Sequence, residues 1–473
     1  MPDGDDVTTP PAIPQQRAPV WYQVPPAAEP FPAAVPASGP FLASVAGPEL
    51  FPAPARSGRR ALTGGIFALV AALILAGGAL YVANRNQLAA PAEAAENPRP
   101  RTPLEAADAA LNLQAAALVR GDEKAWLAAV DPGQPKLRTR YRSMFRSLRT
   151  LGVSAFEYQT SRDGTAQDRA VKLEAYAVYC LKDNTCPADA KPAVLQKLTL
   201  KIVKDQWLIT ASTTPQNDDT LQPPPWEDGG LVTVKGKRVT LVALPSEKKY
   251  FKKILPIADA AAAVNDRFAA MVDNPQKRYR IYLAGNKQWK RWYGGITDEW
   301  VVGYAVPLNE AGMDVVLHMN DLKSETRLLE TTIQHELGHV VTLGEAHRKS
   351  WGEGDMWLKE GIAEYIGWYP QPATASWRRQ SVRDHLRGSD RPTSIAVTAL
   401  KSDARVEDGD AFYGMGHFAA DCMAKKYGQR ALFTFARLYL REEKDLDPAA
   451  RQAFGQPFRT VDKTCLAWIR DKA

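Results

Sequence analysis

The stretch Thr331–Val341, TTIQHELGHVV, contains His335-Glu336-Leu337-Gly338-His339, an H-E-x-x-H pattern. On a helix, positions i and i+4 share a face, so His335 and His339 can offer two imidazole nitrogens to one metal ion with Glu336 alongside. The bland alternative is a pair of surface or core histidines. With six histidines in the chain, a chance match arises in roughly 1 sequence in 250 of this composition. Leu328, Leu329, Thr332, Ile333, Leu337 and Val340 recur at helical spacing, which predicts an apolar face and a buried helix. The expectation is a metal site.

The surrounding chain, 473 residues long, predicts about three modules rather than one. Its net charge of +7 is spread along the sequence. No basic arm or nucleic-acid signature stands out, so the balance reads as weak attraction to anionic membrane or envelope surfaces, with no nucleic-acid partner. Residues 1–57 hold fourteen prolines among Ala, Gly and small polar residues, the composition of a disordered tail; docking of an adaptor on the Pro-rich stretch is the rival.

Residues 61–83, Ala61 to Ala83, are almost continuously apolar and span roughly 34 Å as a helix, enough to cross a bilayer. Arg56, Arg59 and Arg60 precede the run, whereas Arg85 is followed by Glu93 and Glu96. The positive-inside tendency therefore places the N-terminus in the cytoplasm and the rest of the chain, from the spacer 84–103 onward, outside. A cleavable signal peptide is the alternative, because Ala90-Pro91-Ala92 is loosely A-x-A-like; the long leader and long apolar run favour an uncleaved single-pass anchor. The four cysteines, Cys180, Cys186, Cys422 and Cys465, all fall on the outer side of that topology, where disulfides persist. Three pairings are possible, and Cys180–Cys186 with Cys422–Cys465 is favoured: a small hairpin-like loop and a tie between two C-terminal helices.

Segment 104–212 reads as two amphipathic helices, Leu104–Arg120 and Leu137–Leu151, then strands at Ser154–Gln159, Ala170–Tyr179, Lys197–Lys204 and Gln206–Ser212. The order resembles the cone-shaped nuclear-transport-factor and cystatin-like domains found beside membrane anchors in actinobacterial proteins. Arg138, Arg142, Arg146 and Arg149 stripe the second helix, as a solvated face or as a contact for anionic polymers and lipid headgroups. Residues 213–230, TTPQNDDTLQPPPWEDGG, read as a polar linker and domain boundary. Segment 231–473 predicts a hairpin at Leu231–Leu244, a helix at Ile254–Val272 and strands at Arg278–Ala284, Trp300–Val306 and Asp314–Met319. The metal helix begins near Lys323, and helices follow at Asp355–Trp368, Ala411–Lys426 and Gln429–Leu440. The expected class is α+β, with a cleft between the small sheet and the helical half.

The positions after His339 read VVTLGEAHRKS, which lacks the third histidine of an H-E-x-x-H-x-x-G-x-x-H site. Instead Glu360 follows in Trp357-Leu358-Lys359-Glu360-Gly361-Ile362-Ala363-Glu364-Tyr365. Over Tyr279–Tyr427 the chain resembles the gluzincins of the peptidase MA-like group, related to the zinc aminopeptidases and thermolysin, in which W-L-x-E-G-x-A follows the zinc helix. The resemblance implies His335, His339 and Glu360 as ligands of one catalytic Zn2+, Glu336 as general base and Glu364 as the carboxylate that orients His335. Tyr413-Gly414-Met415-Gly416 is similar to the Y-x-x-G of related aminopeptidases, which implies Tyr413 as the electrophilic donor, with Tyr365 and His417 in reserve. Two imidazoles and one carboxylate leave a fourth position for water, as a catalytic site requires.

His318, His347 and His385 read as surface or structural histidines. No G-x-M-E-N stretch precedes the metal helix, so the grip on a free amino terminus is missing. The expectation is an endopeptidase acting on an envelope or secreted protein, with one of the strands before the metal helix, Val315–Met319 as the first candidate, pairing with an extended peptide. Two other readings stay open: a non-catalytic envelope-binding or assembly protein that uses the domain as a scaffold, and a zinc hydrolase of a non-peptide amide.

Overall fold

Thr102 caps helix α1 (Pro103–Arg120) through a capping box with Glu105, and Pro103 stands at the helix start. Its end is set by Gly121, which takes the left-handed conformation at φ 81°. In the computed structural model the described residues are 102–473, without 162–163, 168, 188–190, 217–220, 297–300, 347–352, 390 and 401–403. The tail 1–57, the apolar run 61–83 and the spacer up to residue 101 lie outside the described residues. Among those described, no helix is long and apolar enough to cross a membrane.

Helices α2 (Glu123–Ala128) and α3 (Pro135–Thr150) follow. They pack with α1 on an antiparallel sheet of β1 (Val153–Thr160), β2 (Thr165–Gln167), β3 (Ala170–Leu181), β4 (Ala193–Val203) and β5 (Gln206–Thr213), in the order β1-β3-β4-β5 with β2 beside β3. Alternate residues of β3 and β4 are buried, as a sheet with one covered face requires. The arginine stripe of α3 is not simply solvated. Arg138 donates to the carbonyls of Leu127 and Val130, both at 2.8 Å, and Arg149 donates to Val119 O at 3.0 Å. Arg142 and Arg146 flank Glu123.

The segment read as a linker packs against this first sheet instead. Trp226, 1 % exposed, meets Tyr179 and Phe156 edge-on at 5.5 and 6.4 Å between ring centres. Glu227 beside it is buried, accepts from Gln196 at 2.6 Å and Thr214 at 2.9 Å, and pairs with Arg140. Proline density marks PPPWEDGG as irregular backbone, but a buried indole and a paired carboxylate make it part of the core.

The second sheet joins β6 (Val232–Lys235), β7 (Val239–Ala243), β8 (Tyr279–Ala284), β9 (Gly303–Pro307) and β10 (Met313–His318) in the order β6-β7-β8-β10-β9. β7, β8 and β10 run parallel, joined in part through helix α4 (Phe251–Met271), and are almost wholly buried. That explains their mostly apolar sequences, interrupted in β8 and β10 by the buried ion pair of Arg280 and Asp314. α4 starts three residues before the expected Ile254 and carries Pro256 within it. β10 has partners on both sides, so its backbone cannot take a further strand. Of the strands before the helix that carries His335 and His339, β9 stands at the edge of the sheet and Val315–Met319 does not.

Helices α5 (Thr326–Leu343), α6 (Met356–Trp368), α7 (Arg379–Arg387), α8 (Val406–Tyr427), α9 (Gln429–Ala436), α10 (Leu446–Phe454) and α11 (Phe458–Lys472) complete the chain. The disulfides are Cys180–Cys186 and Cys422–Cys465; the second joins α8 to α11. The disulfide loop of the first half meets the second: Arg280 donates to Asn184 at 2.7 Å and pairs with Asp314 at 2.7 Å, and Thr185 bonds Glu345 just past α5. One continuous apolar core runs through both halves.

Candidate metal centre

α5 turns His335, Glu336 and His339 inward, and α6, packed along it, presents Glu360 and Glu364 from the other side. All five are at most 4 % exposed. His335 Nε2 and His339 Nε2 lie 3.1 Å apart, and Glu360 Oε2 is 3.5 Å from the first and 3.3 Å from the second. Ligand atoms ~2.0–2.1 Å from a tetrahedral zinc ion stand about 3.3 Å from one another. The donor set therefore fits a divalent metal in both chemistry and spacing, and it is the group of this kind found among the described residues.

Glu364 Oε1 lies 3.1 Å from His335 Nδ1, and its Oε2 accepts from Arg378 Nη1 at 2.9 Å. Arg378 in turn stands 3.2 Å from Asp410, and its guanidinium lies over the Tyr413 ring, 5.5 Å from the centroid. This places Tyr413 against the same network. It gets there because Gly361 of α6 and Gly416 of α8 meet backbone to backbone; a Cβ on Gly361 would lie 2.5 Å from Gly416 O. Tyr365 points elsewhere: it packs on Phe268 and Phe433 and accepts from Gln429 at 2.8 Å. His417 is fully buried, 6.2 Å from the Trp368 ring, and neither ring nitrogen has a hydrogen-bond partner among the described residues. His318 stacks on Trp289 and sits between Asp321 and Asn286. His385 lies on α7, and His347 is outside the described residues.

The electrostatics follow from three carboxylates buried around two imidazoles. Burial opposes protonation of His335, yet hydrogen bonding to Glu360 and Glu364 outweighs it and lifts the pKa to about 9. Burial lowers the pKa of His339. Burial also pushes Glu336 up to about 8, reinforced by Glu360 and Glu364. For Glu364 burial acts in the opposite sense to the net shift; Arg378 and His335 hold it at about 2. Tyr413 is kept a neutral phenol, chiefly by burial and by nearby Glu360.

A cleft lined by Val302, Thr332, Trp368 and Trp377 reaches His335 and Glu336. Its free volume of about 20 Å3 admits a water molecule. Arg378, Asp410, Trp377 and the close approach of Gly303 to Glu336 are absent from the sequence reading. None sits in a recognisable spacing; each reaches the site only through tertiary packing.

No family model and no curated protein matches this chain. Among solved structures, an NTF-2-like protein of unknown function from Shewanella oneidensis MR-1 is similar over 24 % of this chain and 98 % of that one, at 14 % identity and a TM-score of 0.19. A likeness of that size carries no argument about this chain.

Proposed function

We propose that this chain is a zinc-dependent peptidase of the gluzincin kind, anchored by Ala61–Ala83 with residues 102–473 outside the membrane, and that it cuts within polypeptides. The observation that most supports this is Glu336: it is 0 % exposed, and neither carboxylate oxygen has a hydrogen-bond partner among the described residues. Burying a neutral polar group without a partner costs roughly 2–7 kcal/mol, and an ionised carboxylate costs more, a cost that suits a group reserved for chemistry.

Bound by His335, His339 and Glu360, a zinc ion would supply a Lewis acid and a water of near-neutral pKa. Glu336 is placed to take a proton beside those three atoms and pass it to a leaving amine. Its raised pKa in the metal-free protein reflects burial, and a dication nearby would lower it toward the working range. Glu364, held ionised by Arg378, fixes the His335 ring with Nε2 toward the ligand group. Tyr413 serves as a neutral hydrogen-bond donor to charge that develops on a substrate oxygen. An extended peptide would lie along β9, the outer strand, whose Gly303 faces Glu336.

The test compares the protein with its Glu336→Gln and Glu360→Ala variants for zinc content and for cleavage of a mixed peptide library. The expected result is about one zinc per chain, retained without cleavage in Glu336→Gln and weakened in Glu360→Ala. A cellular activity untouched by Glu336→Gln would instead favour the scaffold reading.

A further inference from the structure

The wall of the cleft is a ladder of cations and aromatic rings. Arg327 Cζ lies 5.0 Å from the Trp368 centroid and 6.0 Å from that of Trp377, and the two indoles meet at 4.5 Å. On the inner side Arg378 stacks on the same Trp377, 5.3 Å away. The two arginines differ in how their charge is met. Arg378 is buried and ion-paired with Glu364 and Asp410. Arg327 is exposed beside Trp368 and Trp377, which line the cleft, and its guanidinium makes no ion pair or hydrogen bond among the described residues. Glu325, the nearest acid in sequence, accepts from the Arg327 backbone N–H at 3.1 Å instead.

Stacking on indole faces holds a guanidinium in place while leaving its in-plane N–H fork open, the arrangement that receives a carboxylate bidentately at little entropic cost. Arg327 stands eight residues before His335 on one helix face, about 12 Å along the axis, a distance that an extended peptide covers in about three to four residues.

We propose that Arg327, presented by Trp368 and Trp377, is a specificity subsite for an acidic side chain of the substrate, a few residues from the bond that is cut. The substrate class rests on the peptidase reading; the carboxylate subsite can be tested apart from it.

The experiment uses the full chain in detergent and fluorogenic peptides capped at both ends, with Asp or Glu, Asn or Gln, or Lys at each position within about four residues of the cut. The acidic peptide is expected to exceed its amide counterpart about tenfold in kcat/KM at one position, mostly through KM. Arg327→Gln brings that ratio close to one, and Arg327→Glu turns the preference toward Lys. In parallel, tryptophan fluorescence of the Glu336→Gln chain reports binding of the same peptides, with the acidic one about tenfold tighter and the difference lost when Arg327→Gln is added. Cleavage without acidic preference overturns the subsite and leaves the peptidase reading standing. Arg327-dependent selective binding with no cleavage by the wild type does the reverse. Absence of both binding and cleavage overturns both.

Discussion

Gly303 lies so close to Glu336 that a Cβ at position 303 would come within 3.0 Å of the Glu336 carboxylate and 2.8 Å of the Thr332 methyl. The outer strand and the Glu336 carboxylate are thus closely fitted to one another. Gly303→Ala should push the Glu336 side chain aside and reduce kcat about tenfold or more while zinc content stays at wild-type level. Cleavage at the wild-type rate by a folded variant would show that Glu336 has room to give.

Arg378 holds Glu364, which holds His335. Replacing Arg378 with Met leaves a buried carboxylate without its cation and loosens the first ligand, so zinc affinity should fall about 10- to 100-fold. Arg378→Lys, which keeps the charge, should recover part of it. Competition with a chromophoric chelator reads this directly, and equal affinities in all three proteins would remove Arg378 from the metal site.

His417 gives the clearest pH dependence. Burial holds its pKa at about 4, below the usual ~6.5 of an unfolded chain. The folded state therefore binds the proton less readily, and the stability this contributes is present above pH ~6.5 and is lost as pH falls toward 4. The shift amounts to about 3 kcal/mol. Urea unfolding of chelator-treated protein at several pH values should show that decline in the wild type and a shallower one in His417→Leu. Parallel curves would mean that His417 titrates normally.

Trp226 sets the true edge of the first half. Trp226→Ala should cost about 3–5 kcal/mol. A fragment 102–230 should melt cooperatively, whereas 102–213 loses Trp226 and Glu227 together and leaves Arg140 and Gln196 facing an empty site. Circular dichroism melts of the two fragments decide the matter; identical melts would return the segment to the role of linker.

Features written into local spacing were readable from sequence. His335, Glu336 and His339 follow from one helical turn, whereas Glu360 and Glu364 are legible only through the resemblance of Trp357–Tyr365 to the gluzincin pattern; the structure sets both carboxylates beside the two imidazoles. The cysteine pairs also reflect position, one within a short loop and one between helices. What escaped depends on approach in space. Arg378 lies in SWRRQ, where nothing distinguishes it from its neighbour Arg379. The order β8-β10-β9 leaves no trace in composition, because all three strands are mostly apolar, so sequence alone does not say which strand before the helix stands at the sheet's edge. PPPWEDGG carries loop residues on either side of a core tryptophan, and the local signal points to the loop.

The crossing of Gly361 with Gly416 has a genetic consequence. Every single-residue change at either position adds atoms where two backbones already touch, and neither helix can yield without moving Glu360 or Tyr413. The two codons are bound to a shared fate. A mutational scan should show both as intolerant as His335, His339 and Glu360 of the proposed metal site, although neither glycine has a side chain to offer it, and a second substitution at one would not restore what is lost at the other.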